Sequence, residues 1–317
     1  VVLKKYGVEV RGVHFDTMIA SYLLDPAARN HNLDDMAERF LNYKTITYEE
    51  LVGKGKSAVP ITEVPVERVA EYAIEDADVT LRLYRVLAPM LASENLEKLF
   101  SDIEMPLVDV LAEMEWKGVR IDAAHFAALG AENSRMLAEE EQRVYDIAGG
   151  RFNINSTREL ASVLFEKLAL KPVKKTKTGF STDIQVLEEL RGRHEIIDHL
   201  IAYRTLVKLK STYIDTLPGL VSERTGRLHT SYNQTIVATG RLSSSSPNLQ
   251  NIPVRDEFGR TIRRGFVPEK GRVMMAADYS QIELRIAAHL SGDENMIRAF
   301  REGIDIHRMT AASVFGV

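Results

Sequence analysis

The chain has 317 residues, enough for two or three domains, and 45% of them are apolar and 27% charged. It has no cysteine, which excludes disulfides and thiolate metal sites, so any metal must be held by harder ligands such as carboxylates. No stretch reaches the roughly 18 apolar residues that a membrane helix needs, and no basic-then-apolar leader is present. We therefore expect a cytoplasmic protein with no membrane partner.

Charge is unevenly distributed along the chain. The formal net charge is -4, yet residues 200–273 contain 12 Lys or Arg against 5 Asp or Glu, so this stretch carries +7 and the remainder -11. Proteins that bind nucleic acids need local basic surface to replace phosphate counterions, and the whole-chain sum says little about that surface. The basic stretch is the part of the chain that would suit a nucleic-acid partner.

The first 92 residues alternate short apolar runs with helices, a pattern that predicts an α/β region. On its last helix Tyr72 and Asp76 are four residues apart, so the phenol and the carboxylate project from one face and could meet one metal-bound water. The alternative is a partly buried tyrosine beside a solvated aspartate, which is the usual meaning of such a motif standing alone.

Residues 93–225 have an almost wholly helical pattern, with long helices predicted near 124–148 and 194–217 and a capping box at 156–159. A basic loop without an acid interrupts them, and we predict it to be flexible. Such loops usually just face water, but they can also contact phosphates and so position duplex DNA without reading its sequence. The candidate backbone contacts here are Lys171, Lys174, Lys175, Lys177, Lys208 and Lys210.

From residue 226 the pattern changes to strand and loop, with residues 228, 230, 232 and 234 on one face of a strand. Residues 239–253 have neither a helical nor a strand period and form a long polar loop that contains one arginine, Arg241. No internal repeat is visible in the chain.

A short apolar run, Val273–Ala277, predicts a strand covered on both faces, which places Asp278 at its carboxyl end. Apolar residues at helical spacing follow, so we predict a helix from about Ser280 with Glu283 one turn inside it. Two carboxylates would then flank one cleft. The alternative is structural, because residues 280–283 fit the capping-box pattern and Asp278 could simply favour a helix N-terminus.

These segments together resemble the bacterial DNA polymerase I family, the A-family polymerases. Residues 239–253 match the family's palm loop T-G-R-L-S-S-x-x-P-N-L-Q-N-I-P, and residues 278–285 match its D-Y-S-Q-I-E-L-R segment. Residues 104–122 resemble the opening of the polymerase domain and residues 305–308 the start of the fingers. Residues 15–17 and 72–78 resemble the later part of the 3′–5′ exonuclease domain, including its Y-x-x-x-D motif.

The resemblance implies nucleotidyl transfer to a primer 3′ hydroxyl by a two-metal Mg²⁺ mechanism, with primer-template DNA and deoxynucleoside triphosphates as partners. It implies that Asp278 is a metal ligand and that Glu283 is a steric gate against the 2′-hydroxyl of ribonucleotides. It also implies that Arg241 contacts the minor-groove side of the primer terminus and that His307 approaches the triphosphate. Further substrate-binding residues on the same basis are Arg255, Gln281 and Arg285.

In the exonuclease region the resemblance implies that Asp76 is a metal ligand and that Tyr72 orients the attacking water. The family's other exonuclease acids precede the matched residues, and its second polymerase carboxylate motif, H-D-E, should follow Val317. The chain also begins without methionine and stops within a predicted helix. We therefore expect an internal fragment that is inactive by itself and monomeric.

The predicted fold class is α/β and α multi-domain: a partial RNase H-like exonuclease domain (1–92), a helical thumb with the opening helices of the polymerase domain (93–225), and an α+β palm with the start of the fingers (226–317). Two other hypotheses remain open. The chain could act only as a DNA-binding module, or its parent could be a nuclease-dominant or helicase-fused relative.

Overall fold

The computed structural model describes residues 1–176, 179–254 and 257–316. The candidate residues Lys177 and Arg255 lie outside these ranges. The chain divides into two compact units, Val1–Val267 and Pro268–Val317. None of the helices in the described ranges combines the length and the apolar character that a membrane crossing requires.

The first unit is mainly helical. Its α-helices are α1 (Thr17–Leu24), α2 (Leu33–Leu41), α3 (Tyr48–Val52), α4 (Val66–Ser93), α5 (Glu97–Leu99), α6 (Met105–Lys117), α7 (Ala123–Ala148), α8 (Thr157–Ala161), α9 (Ile184–Glu189), α10 (Ile196–Leu209), α11 (Thr216–Gly219) and α12 (Glu257–Arg264). Short 3₁₀ helices span Leu3–Tyr6, Gly55–Ser57 and Ile61–Glu63, and π-helical turns span Phe100–Glu104, Ser162–Lys167 and Lys210–Ile214. The strands are β1 (Lys175–Thr176) antiparallel to β2 (Gly179–Phe180), and β3 (Ser231–Asn233) antiparallel to β4 (Ser243–Ser245). Residues 1–92, all of them described, contain no strand, because their short apolar runs lie in loops and helices.

Helices α1 and α2 pack against the long helix α4 around the first apolar core. Asp16 caps α1 by accepting a hydrogen bond from the N–H of Met18 at 2.8 Å. On α4 every fourth residue from 79 to 91 faces this core, which is the spacing that one face of a helix requires. These residues are Val79, Leu83, Leu87 and Leu91, each at most 2% exposed.

The long helix predicted near 124–148 is confirmed as α7. The one predicted near 194–217 is α10 only as far as Leu209, where a π-helical turn follows. Helices α7 and α10 pack side by side. Their contact is the second core, which α8, α9 and the π-helical turn after α8 complete. The predicted capping box at the start of α8 is only half formed. Ser156 Oγ accepts from the N–H of Glu159 at 3.3 Å, but the Glu159 carboxylate accepts from the N–H of Asn153 instead of from Ser156.

A third core joins the start of α7 and the end of α10 to the segment that follows residue 226. Val119 forms a β-bridge with Leu228, and Ile121 forms one with Phe266. Leu228 and Thr230 are buried at 0% and 6% exposure, which agrees with the predicted alternation, although the strand itself extends only over Ser231–Asn233. This core packs against the polar loop at 239–253.

The second unit contains α13 (Ile282–Ser291), α14 (Glu294–Glu302) and α15 (Ile306–Phe315). The predicted strand at 273–277 is wrong, since these residues are extended coil and Met275 is 86% exposed. A strand needs a neighbour to complete its backbone hydrogen bonds, and the described part of this unit contains no other strand to pair with it. Asp278 therefore lies in an exposed coil instead of at a strand end.

Helix α13 begins two residues later than predicted. Its N-cap is Gln281, in the left-handed region at φ 53°, and no side chain caps it, so the capping box predicted at 280–283 does not form. The apolar spacing also predicts a buried face, but Leu290 is 79% exposed and only Ala288 is buried among the described residues of this helix. Within this unit α13 packs mainly on α14, and Ile286, on its apolar face, is 50% exposed.

Candidate functional site

The polar loop at 239–253 is held in shape by its own side chains. Asn248 Oδ1 accepts from the N–H groups of Gln250, at 3.0 Å, and of Asn251, at 3.3 Å. Ser244 Oγ accepts from the N–H of Leu249 at 3.0 Å. Such Asx and serine turns substitute for secondary structure, which explains why this segment shows no sequence period.

Two further hydrogen bonds tie the loop to the core beneath it. The buried Thr230 hydroxyl donates to the Pro247 carbonyl at 2.7 Å, and the Tyr213 phenol donates to the Asn251 carbonyl at 2.5 Å. Burial raises the pKa of Tyr213, so its phenol remains a donor. Neither Tyr213 nor Asn248 was predicted as a residue that holds the loop. Tyrosine and asparagine occur in many environments, so the residue type alone does not indicate this role.

A groove runs between this loop and the end of α10. It consists of two adjoining cavities of about 620 Å³ and about 310 Å³ that share Lys208, Tyr213, Asn251 and Pro253. We refer to them together as the loop groove. Lys208, which is exposed, lines the larger cavity together with the polar residues Asn248, Gln250 and Asn251. A cation and polar groups on one concave surface suit an anionic, hydrogen-bonding ligand.

Arg204 lines the smaller cavity but is used structurally. Its guanidinium donates to the Thr182 carbonyl and, at 3.3 Å, to the Thr182 hydroxyl. Burial lowers the pKa of Arg204, and the charge of Asp183 partly offsets this effect. Arg204 thus fastens α10 to the segment that precedes α9.

The predicted basic loop forms a short hairpin, β1–β2, whose described lysines are exposed. Lys174 pairs with Asp183 at 3.5 Å, and Lys210 pairs with Asp215 at 2.8 Å. The Lys174 side chain is 58% exposed, whereas that of Lys210 is 29% exposed. Exposed pairs contribute only about 0.2–1 kcal/mol, so Lys174 can exchange its partner for a phosphate at little cost. Lys171, Lys175 and Lys208 form no ion pair with any described residue.

In the second unit the candidate residues lie on and beside α13. Asp278 and Glu283 are both exposed, and Glu283 lies in the first turn of the helix. Arg285 Nε donates to the Ser280 carbonyl at 3.0 Å, and its guanidinium stacks on Phe300 at 4.5 Å from the ring centre. The hydrogen bond and the stacking together fix the position of the arginine side chain.

His307 lies in the first turn of α15. Asp305 caps this helix by accepting from the backbone N–H groups of His307, at 2.8 Å, and of Arg308, at 3.2 Å. The imidazole itself is exposed. The histidine is therefore held by its backbone, while its ring remains accessible to a ligand.

Tyr72 and Asp76 are one turn apart on α4 and project from the same face of it, as their spacing predicts. Burial raises the pKa of Tyr72, and the Asp76 charge adds to this effect. Burial also raises the pKa of Asp76, against the effect of the Tyr72 hydroxyl, and the charges of Asp34 and Glu75 raise it further. Asp34 lies far from this pair in sequence, and its influence on Asp76 was not predicted from the sequence.

Glu75 adjoins Asp76 in sequence, but its carboxylate is already occupied. It accepts from the Tyr43 phenol and from the N–H of Ile46, both at 2.7 Å. These bonds fix the 43–46 segment against α4. Glu75 is thus a structural acid, and Asp34 is engaged as well, because its Oδ1 accepts from the Thr45 hydroxyl at 2.6 Å.

A catalytic metal needs converging carboxylates, and neither candidate region supplies a complete set. Among the described residues no cluster of three or more His, Asp or Glu could hold a metal ion. Asp278 lies in exposed coil, and the two carboxylates whose charges act on Asp76, those of Asp34 and Glu75, already accept hydrogen bonds.

Two family models match the chain. The model of DNA polymerase family A matches residues 123–317, and a model described as 3′–5′ exonuclease matches residues 1–92. Members of these families generally use divalent metals. The predicted fold class, with exonuclease and polymerase regions in a mostly helical chain that has a small sheet, is confirmed by these matches.

Individual proteins agree with the family models. The DNA polymerase I of Chloroflexus aurantiacus is 49% identical over 324 residues, covering 100% of this chain and 34% of that protein. The DNA polymerase I of Pseudomonas aeruginosa is 47% identical over 98% of this chain and 34% of its own length. The chain thus spans about a third of these relatives. A solved structure, the POL domain of Pol1 from M. smegmatis in complex with DNA primer-template and dNTP, matches with a TM-score of 0.84 and 38% identity over 99% of this chain and 52% of that one.

Proposed function

Because this chain belongs to DNA polymerase family A, we propose that it serves template-directed DNA synthesis in replication and repair. The observation that carries the proposal is the loop groove, which Lys208 lines together with the ordered polar loop that contains the family's palm motif. The structural relative named above was solved with DNA primer-template and dNTP, and we propose the same two partners here.

In this proposal the loop groove holds duplex DNA without selecting sequence. Lys208 contacts a phosphate, and the lysines of the β1–β2 hairpin region extend this contact along the backbone. Arg241 contacts the minor-groove side of the primer terminus, where hydrogen-bond acceptors common to all base pairs allow geometry to be checked without reading sequence. The +7 charge of residues 200–273 supports this orientation of the chain towards DNA.

The second unit supplies residues for the nucleotide in this proposal. Glu283 restricts the space at C2′ of the sugar, His307 approaches the triphosphate, and Arg285 and Gln281 bind the substrate. Mg²⁺ is the proposed ion, and Asp278 is the ligand that this unit offers to it. In the exonuclease region Asp76 and Tyr72 have the corresponding roles towards a metal and a water.

We propose the domain division 1–92, 93–225 and 226–317 for exonuclease region, thumb and palm with the start of the fingers. A substrate of chromosomal DNA places the protein in the cytoplasm, where we expect it to act as a monomer. A second function is supported by the incomplete metal set, namely that the 317-residue chain binds DNA without extending it.

Primer extension tests the proposed function. The full-length protein and the 317-residue chain are each given a primer-template, Mg²⁺ and all four deoxynucleotides. We expect extension by the full-length protein, and DNA binding without extension by the chain. Absence of extension by the full-length protein would overturn the polymerase proposal, and extension by the chain alone would show that its metal ligands are complete.

Replacing Lys208 with alanine should weaken DNA binding equally for every sequence. Loss of one phosphate contact should reduce the slope of log K against log salt by about 0.9, because one fewer counterion is released. Fluorescence anisotropy with two unrelated duplexes over a salt series measures both quantities. Lys98→Ala is the matched control, since Lys98 is an exposed lysine on α5, far from the groove in sequence. Equal slopes of log K against log salt for the two variants would show that Lys208 does not contact DNA.

Replacing Glu283 with alanine in the full-length protein should admit ribonucleotides, because the side chain that restricts C2′ is shortened. We expect the ratio of kcat/KM for deoxynucleotide over ribonucleotide to fall at least about tenfold, which corresponds to about 1.4 kcal/mol. Glu294→Ala, which removes an exposed carboxylate from the first turn of α14, should leave the ratio unchanged. An unchanged ratio for Glu283→Ala would show that another residue is the gate.

A further inference from the structure

The turn that precedes Arg241 is held from a distant part of the chain. The phenol of Tyr22, on α1, donates to the Val237 carbonyl at 2.7 Å and accepts from the N–H of Gly240 at 3.1 Å. The same two backbone groups bond each other at 3.1 Å and close the turn. The phenol oxygen thus joins both ends of a turn that is more than 200 residues away in sequence.

The Tyr22 ring is itself fixed by its surroundings. It is 4% exposed, and His31 packs edge-on against it with ring centres 5.7 Å apart. The His31 ring is oriented by a 2.9 Å hydrogen bond between its Nδ1 and the Ser21 hydroxyl. Burial lowers the pKa of His31, and the charge of Arg39 lowers it further, so the imidazole packs in its neutral form. A phenol held this firmly can impose its position on the turn.

The Tyr22 contact lies between the exonuclease motif on α4 and the polar loop that contains Arg241. Helix α1 packs on α4, the helix that carries Tyr72 and Asp76. Gly240 has φ +77° and directly precedes Arg241, so the turn sets the direction in which the arginine leaves the backbone. An uninterrupted series of packed and hydrogen-bonded groups therefore extends from the exonuclease region to Arg241.

We propose that Tyr22 is a positioning residue for primer extension: its phenol fixes the turn at 237–240, and with it the arginine that meets the primer terminus. This inference rests on the proposed function for the role of Arg241, but the phenol contact itself does not. It makes the 1–92 region part of the polymerase site, in addition to any hydrolytic role.

Hydrogen–deuterium exchange of the full-length protein tests the contact itself. Tyr22→Phe keeps the ring and removes only the hydroxyl, so the backbone amides at 237–241 should exchange about tenfold faster. Tyr84→Phe is the matched control, because the Tyr84 ring packs on Phe15 at 4.8 Å and its hydroxyl bonds no described residue. It should leave this segment unchanged. Equal exchange in Tyr22→Phe and the unaltered protein would overturn the proposal.

Steady-state kinetics tests the consequence. In Tyr22→Phe we expect kcat for extension of a matched primer to fall about tenfold, with KM for the nucleotide and Kd for DNA changed less than twofold. In an Arg241→Ala background the same substitution should have no further effect, because the residue through which it acts is gone. A loss of equal size in both backgrounds, or no loss in either, would overturn the proposal.

The two tests separate this proposal from the proposed function. If the unaltered full-length protein extends no primer, the polymerase proposal fails, while the exchange experiment still decides whether Tyr22 holds the turn. If it extends primers and Tyr22→Phe behaves like Tyr84→Phe in both tests, the polymerase proposal stands and the role of Tyr22 is rejected.

Discussion

Replacing Asp278 with alanine in the full-length protein should abolish nucleotide incorporation while primer-template binding stays nearly intact. Asp278 lies in exposed coil, caps no helix and bonds no described residue, so its loss should cost the fold very little. If it holds a catalytic metal, its removal should reduce incorporation at least about 1000-fold, or about 4 kcal/mol in activation free energy. Single-turnover incorporation and a gel-shift Kd, measured on the same preparation, separate the two effects.

Two companion variants make this result specific. Asp278→Asn keeps the shape and removes the charge, so it should be as inactive as the alanine variant. Glu302→Ala removes another exposed carboxylate from the same unit, in the last turn of α14, and should retain full activity. Incorporation by Asp278→Ala within tenfold of the unaltered protein would withdraw the site assignment, and a large loss of DNA affinity would instead give Asp278 a binding role.

The family and the motifs could be predicted because they consist of contiguous residues. Residues 239–253 and 278–285 indicate the family by their order alone, and the family prediction is confirmed. The long helices near 124–148 and 194–217 were predictable for a related reason, since a helix forms its hydrogen bonds within its own segment. Its sequence period therefore suffices to locate it.

The predicted strand at 273–277 shows where this reasoning stops. An apolar run indicates that a segment would be stable between two layers, but a strand exists only beside another strand. Sequence composition carries no information on whether that neighbour is there. The same limit applies to α13, whose apolar spacing predicts a buried face that the second unit leaves exposed.

Anchors between distant segments were not predictable for a different reason. The Tyr213 bond to Asn251 and the Tyr22 bond to Val237 join residues 38 and 215 positions apart. A tyrosine in an apolar helix is predicted to be a core residue. Only the folded structure shows which backbone group its hydroxyl bonds.

The second large effect concerns stability at Gly118, which ends α6. Its backbone has φ 60° and ψ -176°, a region that glycine alone adopts easily. A Cβ there would overlap the Leu228 carbonyl oxygen and lie 2.9 Å from the His229 ring. Neither neighbour can move freely, because the N–H of Val119 donates to that carbonyl at 2.8 Å and His229 Nδ1 donates to the Glu115 carbonyl at 2.7 Å.

Gly118→Ala should therefore lower the free energy of unfolding by about 3–5 kcal/mol, since backbone strain and steric overlap each cost about 1–3 kcal/mol. Gly226→Ala is the matched control, because Gly226 has a similar φ of +65° but open space around its Cβ, and it should cost only about 1–2 kcal/mol. Urea unfolding of the 317-residue chain can be followed by the fluorescence of Trp116, its only tryptophan, which lies two residues from Gly118. Equal losses of unfolding free energy for the two variants would mean that backbone strain alone acts at Gly118. The larger loss expected for Gly118→Ala would show that the close approach of Leu228 holds α6 against the segment that leads into the polar loop.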